Sequence, residues 1–177
     1  MNLKTKTMFG LRVATATDAE VLSKLASETF LDSWGQHNSE EDMQHFIKQH
    51  FSVDLLSEQI KSDDCVFLIA SSDPDDVAYL KLKKGNPQKQ IISENAGEVE
   101  KLYVQKAFQS QGAGMLLLHL AEAFAIEKGF DVLWLSVWKP NLRAMSFYTR
   151  MGFEICGEQN FILGNDVQED YLMKKHL

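Results

Sequence analysis

Apolar residues follow two rhythms along this chain, and the switches between them mark out its elements. Phe9–Ala14 (F-G-L-R-V-A) reads as a short opening strand. Thr17-Asp18-Ala19-Glu20 has the form of a capping box, with the Thr17 hydroxyl on the third amide and Glu20 reaching back. The helix it opens keeps Leu22, Leu25, Ala26 and Phe30 on one face. Ser39 caps a second helix, in which Met43, Phe46, Ile47, His50 and Phe51 recur at helical spacing. Asp54 caps a shorter third helix through Ile60. Leu31–Asn38, with Trp34 and His37, is too polar for a core strand and too aromatic for a linker. Trp34 is therefore either a packing plug or a wall of a ligand cleft.

The rhythm then turns to strands. Val66–Ala70 and Val77–Leu82 are apolar runs joined by turn-like Ser71–Asp76, a hairpin. Gly85–Gly97 carries Asn86-Pro87 and few apolar residues, the mark of a long and mobile loop. Glu98–Val104 reads as a strand, on which alternation puts Glu98, Glu100, Leu102 and Val104 on one side unless a bulge shifts the phase. Gly112–Glu127 reads as a helix with a wide apolar face, closed by Gly129 at a left-handed cap position. Val132–Trp138 is a buried strand, Leu142–Met151 a helix stopped by Gly152. Phe153–Cys156 and Phe161–Leu163 are strand material, Gly164-Asn165 a hairpin turn, and Val167–Lys174 the last strand. No repeat, low-complexity tract or linker interrupts the series, so residues 1–177 form one α/β domain.

Composition narrows the function. A chain of 177 residues is ordinary for a single domain and buries roughly 70% of its unfolded surface. No apolar run approaches the roughly eighteen residues of a membrane span, and Met1–Arg12 lacks the apolar centre of a signal peptide. Cys65 and Cys156 stand far apart, as reduced core residues of a cytoplasmic protein do. The histidines show no metal spacing, so no metal is expected.

The net charge of −7 is uneven: Thr17–Asp76 holds 14 acidic residues against three lysines, a net −11, and the remainder is +4. Acidic helices that merely face water give such a count. So does a domain built for an anionic cofactor and a cationic acceptor. Nucleic acid is disfavoured, because no basic patch interleaved with aromatics occurs. A monomer or homodimer is expected.

Gln109-Ser110-Gln111-Gly112-Ala113-Gly114 lies between the Glu98–Val104 strand and the Gly112–Glu127 helix. Two glycines at the mouth of a helix let several orphan N–H groups converge on one anion, with the helix dipole adding to them. A tight turn that needs glycine for backbone reasons alone has the same sequence. The nucleotide P-loop is excluded, since Met115 and Leu116 stand where it needs Lys and Ser or Thr. A third glycine or alanine and a distant acidic residue are missing too, which excludes the dinucleotide fingerprint.

The segment resembles the Q/R-x-x-G-x-G/A pyrophosphate loop of the GNAT N-acetyltransferases, with Gln109, Gly112 and Gly114 in the pattern's places. The resemblance implies that a strand holding Leu102, Tyr103 and Val104 pairs with the pantetheine of acetyl-CoA. Ser110, Gln111, Ala113 and Met115 then complete the cofactor's seat. Gln111 stands where many members carry Lys or Arg, so phosphate would rest more on backbone amides than on a side-chain cation.

A second segment, Trp138 to Phe153, resembles the family's N-x-x-A-x-x-F-Y-x-x-x-G-F signature, with Asn141, Ala144, Phe147, Tyr148, Gly152 and Phe153 in register. Asn141 at a strand–helix junction has an amide for a polar chain such as pantetheine. Ala144 leaves room, Phe147 supplies apolar wall, and Tyr148 lies two helical turns on, near the same face. A phenol so placed can donate a proton to a leaving thiolate, and the same residue elsewhere is an amphipathic core residue. The fold implied is a central mixed, mostly antiparallel twisted sheet of about seven strands flanked by helices, splayed between the fourth and fifth strands.

End to end, the chain is similar to PaiA-type spermidine/spermine N-acetyltransferases, through Glu28-Thr29-Phe30, Asp32, Asn38-Ser39, Trp134-Leu135, Val137-Trp138, Phe161, Gly164, Asp170 and Met173. That implies a polyamine acceptor, for which Glu28, Asp32, Trp34 and Trp138 are the candidate contacts. The alternatives are a protein amino terminus, a lysine or an aminoglycoside as acceptor, or a non-catalytic acyl-CoA or polyamine sensor. The acceptor ammonium must lose a proton before it attacks the thioester. Glu98 matches the position of the base in histone-acetylating members and is favoured over Glu100. A salt-bridged or sheet-edge carboxylate is the bland alternative for each. A backbone N–H near Val104 would polarise the thioester oxygen.

Overall fold

The computed structural model describes residues 8–36, 38–85, 93, 95–163 and 166–177. His37, most of the Gly85–Gly97 loop and the Gly164-Asn165 turn lie outside them. In chain order the elements are β1 Gly10–Val13, α1 Ala19–Trp34, α2 Glu40–His50, α3 Val53–Lys61, β2 Cys65–Ser72 and β3 Asp75–Lys84. There follow β4 Ala96–Val104, α4 Ala113–Glu127, β5 Val132–Trp138, α5 Leu142–Arg150, β6 Glu154–Leu163 and β7 Asp166–His176. Among the described residues no helix is long and apolar enough to cross a membrane.

The seven strands form one sheet in the order β1-β2-β3-β4-β5-β7-β6, antiparallel throughout except where β4 meets β5. Leu80, Leu82, Val99, Leu133 and Leu135 on one face pack against Leu117, Leu118 and Ala121 of α4. Phe67, Ile69 and Tyr79 on the other face pack against Leu22, Leu25 and Phe30 of α1, with Met43 and Leu56 from α2 and α3. Hydrophobic burial on both faces of the middle strands explains why their sequences run apolar without alternation.

Several local expectations shift. The first capping box is closed by Thr15 and Asp18 rather than Thr17 and Glu20, with the Thr15 N–H donating to the Asp18 carboxylate at 2.7 Å. Arg12 also holds that carboxylate, at 2.9 Å, so a short 3-10 turn over Ala16–Asp18 precedes α1. Ser39 caps α2 as its sequence implies, accepting from the Asp42 N–H at 3.1 Å. Ser52, not Asp54, is the cap of α3, and Asp54 sits in the first turn, where its charge suits the dipole. Trp34 is the last residue of α1 rather than part of a connecting loop. Glu154–Leu163 is one strand, not two pieces, and carries a register shift between Ile155 and Gly157. Cys65 and Cys156 are free thiols at the margin of the core, half-buried rather than within it.

Candidate active site

The parallel β4–β5 ladder holds for only three pairs, Ala96–Val132, Gly97–Leu133 and Glu98–Trp134. Beyond Glu98 the strands diverge, while β5 stays paired to β7 along its whole length. Gly97 belongs at the closed end, because a Cβ there would stand 2.7 Å from the Phe130 ring. The fork leaves a cleft of about 680 Å³, walled by Leu102, Tyr103 and Val104 of β4, Val137 and Trp138 of β5, and α5. An open strand edge inside a protein leaves N–H and C=O groups for an extended ligand chain to satisfy.

At the wide end the chain turns into α4. Ser110 and Gly112 both have positive φ, 62° and 104°, on either side of Gln111. Such alternation turns successive N–H groups inward as an anion nest, continued by the free amides of Ala113, Gly114 and Met115 in the first turn of α4. Gly114 lets the helix start close to β4 and α5: a Cβ there would lie 3.5 Å from Val104 and 3.9 Å from Phe147. The Gln109 side chain donates to the Val104 carbonyl at 3.0 Å, closing the turn. Gln111 is the one loop residue turned away from the cleft, donating to the Ala107 carbonyl at 2.7 Å. The cation that the loop lacks comes instead from α5: Arg143 donates to Gln109 at 2.6 Å and to the Ser110 hydroxyl at 3.1 Å.

On the same wall, Asn141 caps α5 by accepting from the Ala144 N–H at 3.0 Å, and its NH2 end has no protein acceptor among the described residues. Ala144, Phe147 and Tyr148 line the cleft beside it. The Tyr148 ring is wedged edge-on between Phe147 and Phe153. Burial, with Tyr103 nearby, pushes its phenol well above the usual range, so it holds its proton at neutral pH.

The expected alternation along β4 does not hold. Lys81 pairs with Lys101 but Leu82 pairs with Val99, so Glu100 is an extra residue, a β-bulge. Val99, Leu102 and Val104 therefore face α4, whereas Glu98, Lys101 and Tyr103 face the α1 side. The bulge turns Glu100 into the cleft, where the Lys81 ammonium meets it at 2.5 Å. Burial opposes ionisation of Glu100, but Lys101 and Lys81 outweigh it and lower its pKa. Glu98, at the closed end opposite Trp134, is not among the residues lining the cleft, and burial raises its pKa.

On the α1 side a second cavity of about 330 Å³ adjoins the first, sharing Trp34, Val104 and Trp138 with it and adding Thr29 and Asp32. The Trp34 and Trp138 rings stand 5.4 Å apart, and the Trp34 indole N–H donates to the Tyr103 phenol at 3.3 Å. Trp34 is thus both a plug and a cleft wall. Glu28 lies outside both cavities, on the outer face of α1 beside Lys24 and Gln105.

Residues 20–153 match the family model described as Acetyltransferase (GNAT) family. The chain belongs to this family. It is similar to an N-acetyltransferase from Lactobacillus delbrueckii subsp. lactis, 34% identical over 96% of this chain and 99% of the relative. A spermidine N(1)-acetyltransferase from Thermoplasma acidophilum is 28% identical over 82% of this chain and 88% of its own. The crystal structure of the PaiA N-acetyltransferase from the same organism, in complex with coenzyme A, superposes with a TM-score of 0.76 at 25% identity. That match covers 96% of this chain and 99% of the other. The protein is an acetyl-CoA-dependent N-acetyltransferase of the GNAT type. Its anion nest, the Arg143 guanidinium and the open β4 edge fit the pyrophosphate and amide-bearing arm of coenzyme A. Sequence alone assigns no role to Arg143, Ser136 or Asp170. Arg143 and Asp170 fell inside matching stretches, but nothing local tells which side chains meet across 34 residues of chain.

Proposed function

We propose that this enzyme acetylates a primary amine of a small linear polycation of the spermidine type. One observation carries the reading: the smaller cavity, walled by Asp32, Trp34 and Trp138 and with Lys106 also in its lining, opens off the cofactor cleft under the acidic helix α1. Indole faces and a carboxylate suit an alkylammonium chain. The similarity to a spermidine N(1)-acetyltransferase supports the same acceptor class.

Bound acetyl-CoA supplies a thioester that a neutral amine attacks directly, without a covalent enzyme intermediate. In this reading Tyr148 gives its proton to the departing thiolate. Glu100, rather than Glu98, is the carboxylate that meets the incoming ammonium, directly or through water, since Glu100 lines the cleft. The backbone N–H groups of β4 near Val104 polarise the thioester oxygen.

A thiol-release assay with acetyl-CoA across polyamines, peptides with free amino termini, lysine peptides and aminoglycosides tests the reading. Polyamines are expected to give the highest kcat/KM. Preference for a peptide or aminoglycoside would replace the acceptor assignment, and no release with any amine would point to a non-catalytic sensor.

A further inference from the structure

Two half-buried carboxylates on the inner surfaces of this fold have a lysine in contact, whereas Glu98 and Asp170 have no ion pair among the described residues. Glu100 is held by Lys81 at 2.5 Å and Glu122 by Lys175 at 2.6 Å. Asp170, only 6% exposed on β7, has no cation beside it among the described residues. A buried carboxylate without a counter-ion is costly, and folds seldom keep one without a partner.

The surroundings of Asp170 connect it to the cleft. It stands opposite Trp138 on β5, and the Ser136 hydroxyl donates to it. Ser136 itself is exposed and lines the cleft on the α1 side. Its Oγ lone pairs remain free to accept a donor from the cleft, giving a chain N⁺–H···Oγ–H···⁻O. Tyr103, whose phenol lies within the field of Asp170, and the Trp34–Trp138 pair supply aromatic surface around it. Behind Tyr103, stacked at 5.9 Å, Tyr79 is 1% exposed with a hydroxyl that has no partner among the described residues.

We infer that Asp170, acting through Ser136, is the anionic anchor for an ammonium group of the acceptor. The inference rests on the amine-acceptor reading above and names the residues that select for charge. The ligand class is an aliphatic di- or polyamine: one ammonium is received at Ser136–Asp170, and the rest of the chain runs along Trp34 toward Asp32. A neutral amine or alcohol of the same length gains nothing from this anchor.

The test uses the full-length enzyme with spermidine as the probe, bound in the presence of coenzyme A and followed by calorimetry, alongside steady-state thiol release. Asp170→Asn and Ser136→Ala are each expected to raise the spermidine Kd and KM about tenfold or more, the scale of a lost charge-assisted hydrogen bond. Ser136→Thr, which keeps the hydroxyl, is expected to retain binding. Acetyl-CoA affinity should stay within about twofold in all three, which separates loss of the anchor from loss of the fold. If Asp170→Asn and Ser136→Ala bind and acetylate spermidine like the parent, the anchor is wrong and the acetyltransferase reading stands. A parent enzyme that neither binds nor acetylates any polyamine overturns both the anchor and the polyamine acceptor, and leaves the acetyltransferase assignment in place.

Discussion

Arg143 reaches from the first turn of α5 to Gln109 in the turn before α4, its guanidinium donating to the amide oxygen at 2.6 Å. The contact joins the two matching motifs at the mouth of the cleft and holds a cation beside the nest of Ser110 and Gly112. Arg143→Gln keeps much of the side chain's length but removes the charge. Acetyl-CoA affinity measured by calorimetry is expected to fall about tenfold, the range of a hydrogen bond to a charged group. The loss should shrink at high salt, where phosphate–guanidinium attraction is screened. An unchanged Kd would leave the phosphates to the backbone alone.

Tyr148 is buried and holds its proton. Tyr148→Phe is expected to preserve packing and acetyl-CoA affinity while cutting kcat roughly 10²-fold, the usual scale of general acid catalysis. Ionisation of so buried a phenol needs pH above its ordinary range, so the acid's role should persist through neutral and mildly alkaline pH. A variant with parental turnover, under conditions where chemistry limits the rate, would remove the assignment.

Two glutamates two residues apart on β4 are separated by the bulge. Glu100→Gln is expected to lower kcat/KM for the amine about tenfold or more, while Glu98→Gln changes it less than about threefold. The reverse ranking, read from the same kinetic series, would return the base to Glu98.

Asp32 lines the smaller cavity and Glu28 does not. Asp32→Asn should therefore raise the polyamine KM several-fold, with Glu28→Gln within about twofold, since Glu28 lies outside the cavity and solvent screens it from a ligand there. For the parent enzyme kcat/KM for spermidine should fall with ionic strength as the Debye length shortens to ~3 Å at molar salt. A salt-independent kcat/KM would mean that α1 to α3 are merely solvated.

Burial raises the pKa of Asp170, partly countered by the Ser136 hydroxyl, with the Tyr103 phenol facing it from β4. The folded state therefore binds this proton more readily than the unfolded chain. Its stabilising contribution is present at low pH and is lost as pH rises through the folded-state pKa. Relative to Asp170→Asn, the ligand-free parent should gain thermal stability as pH is lowered from 7 toward 4. Parallel Tm curves for the two would refute the shift.

Much of this architecture is legible in the order of residues because its causes are local. Val132–Trp138 is bounded as its apolar run predicts, Ser39 caps α2, and Gly129 takes the positive φ that a left-handed cap requires. Gln109–Gly114 and Asn141–Tyr148 come together as their resemblance implies, since each motif carries its own turn geometry and caps.

What the sequence leaves open depends on strands far away along the chain. The face to which Glu98 or Glu100 turns is set by the bulge opposite Lys81 and Leu82, and a strand's phase exists only relative to its partner. The cleft exists because β5 follows β7 rather than β4 beyond Trp134, a competition between two ladders that neither strand records alone. Asp170 looks like any strand carboxylate until Trp138 pairs opposite it and the fold buries it without a cation among the described residues. Periodicity and capping act over a few residues and can be read directly, whereas register, burial and charge compensation are energies of contact. Only the assembled sheet determines them.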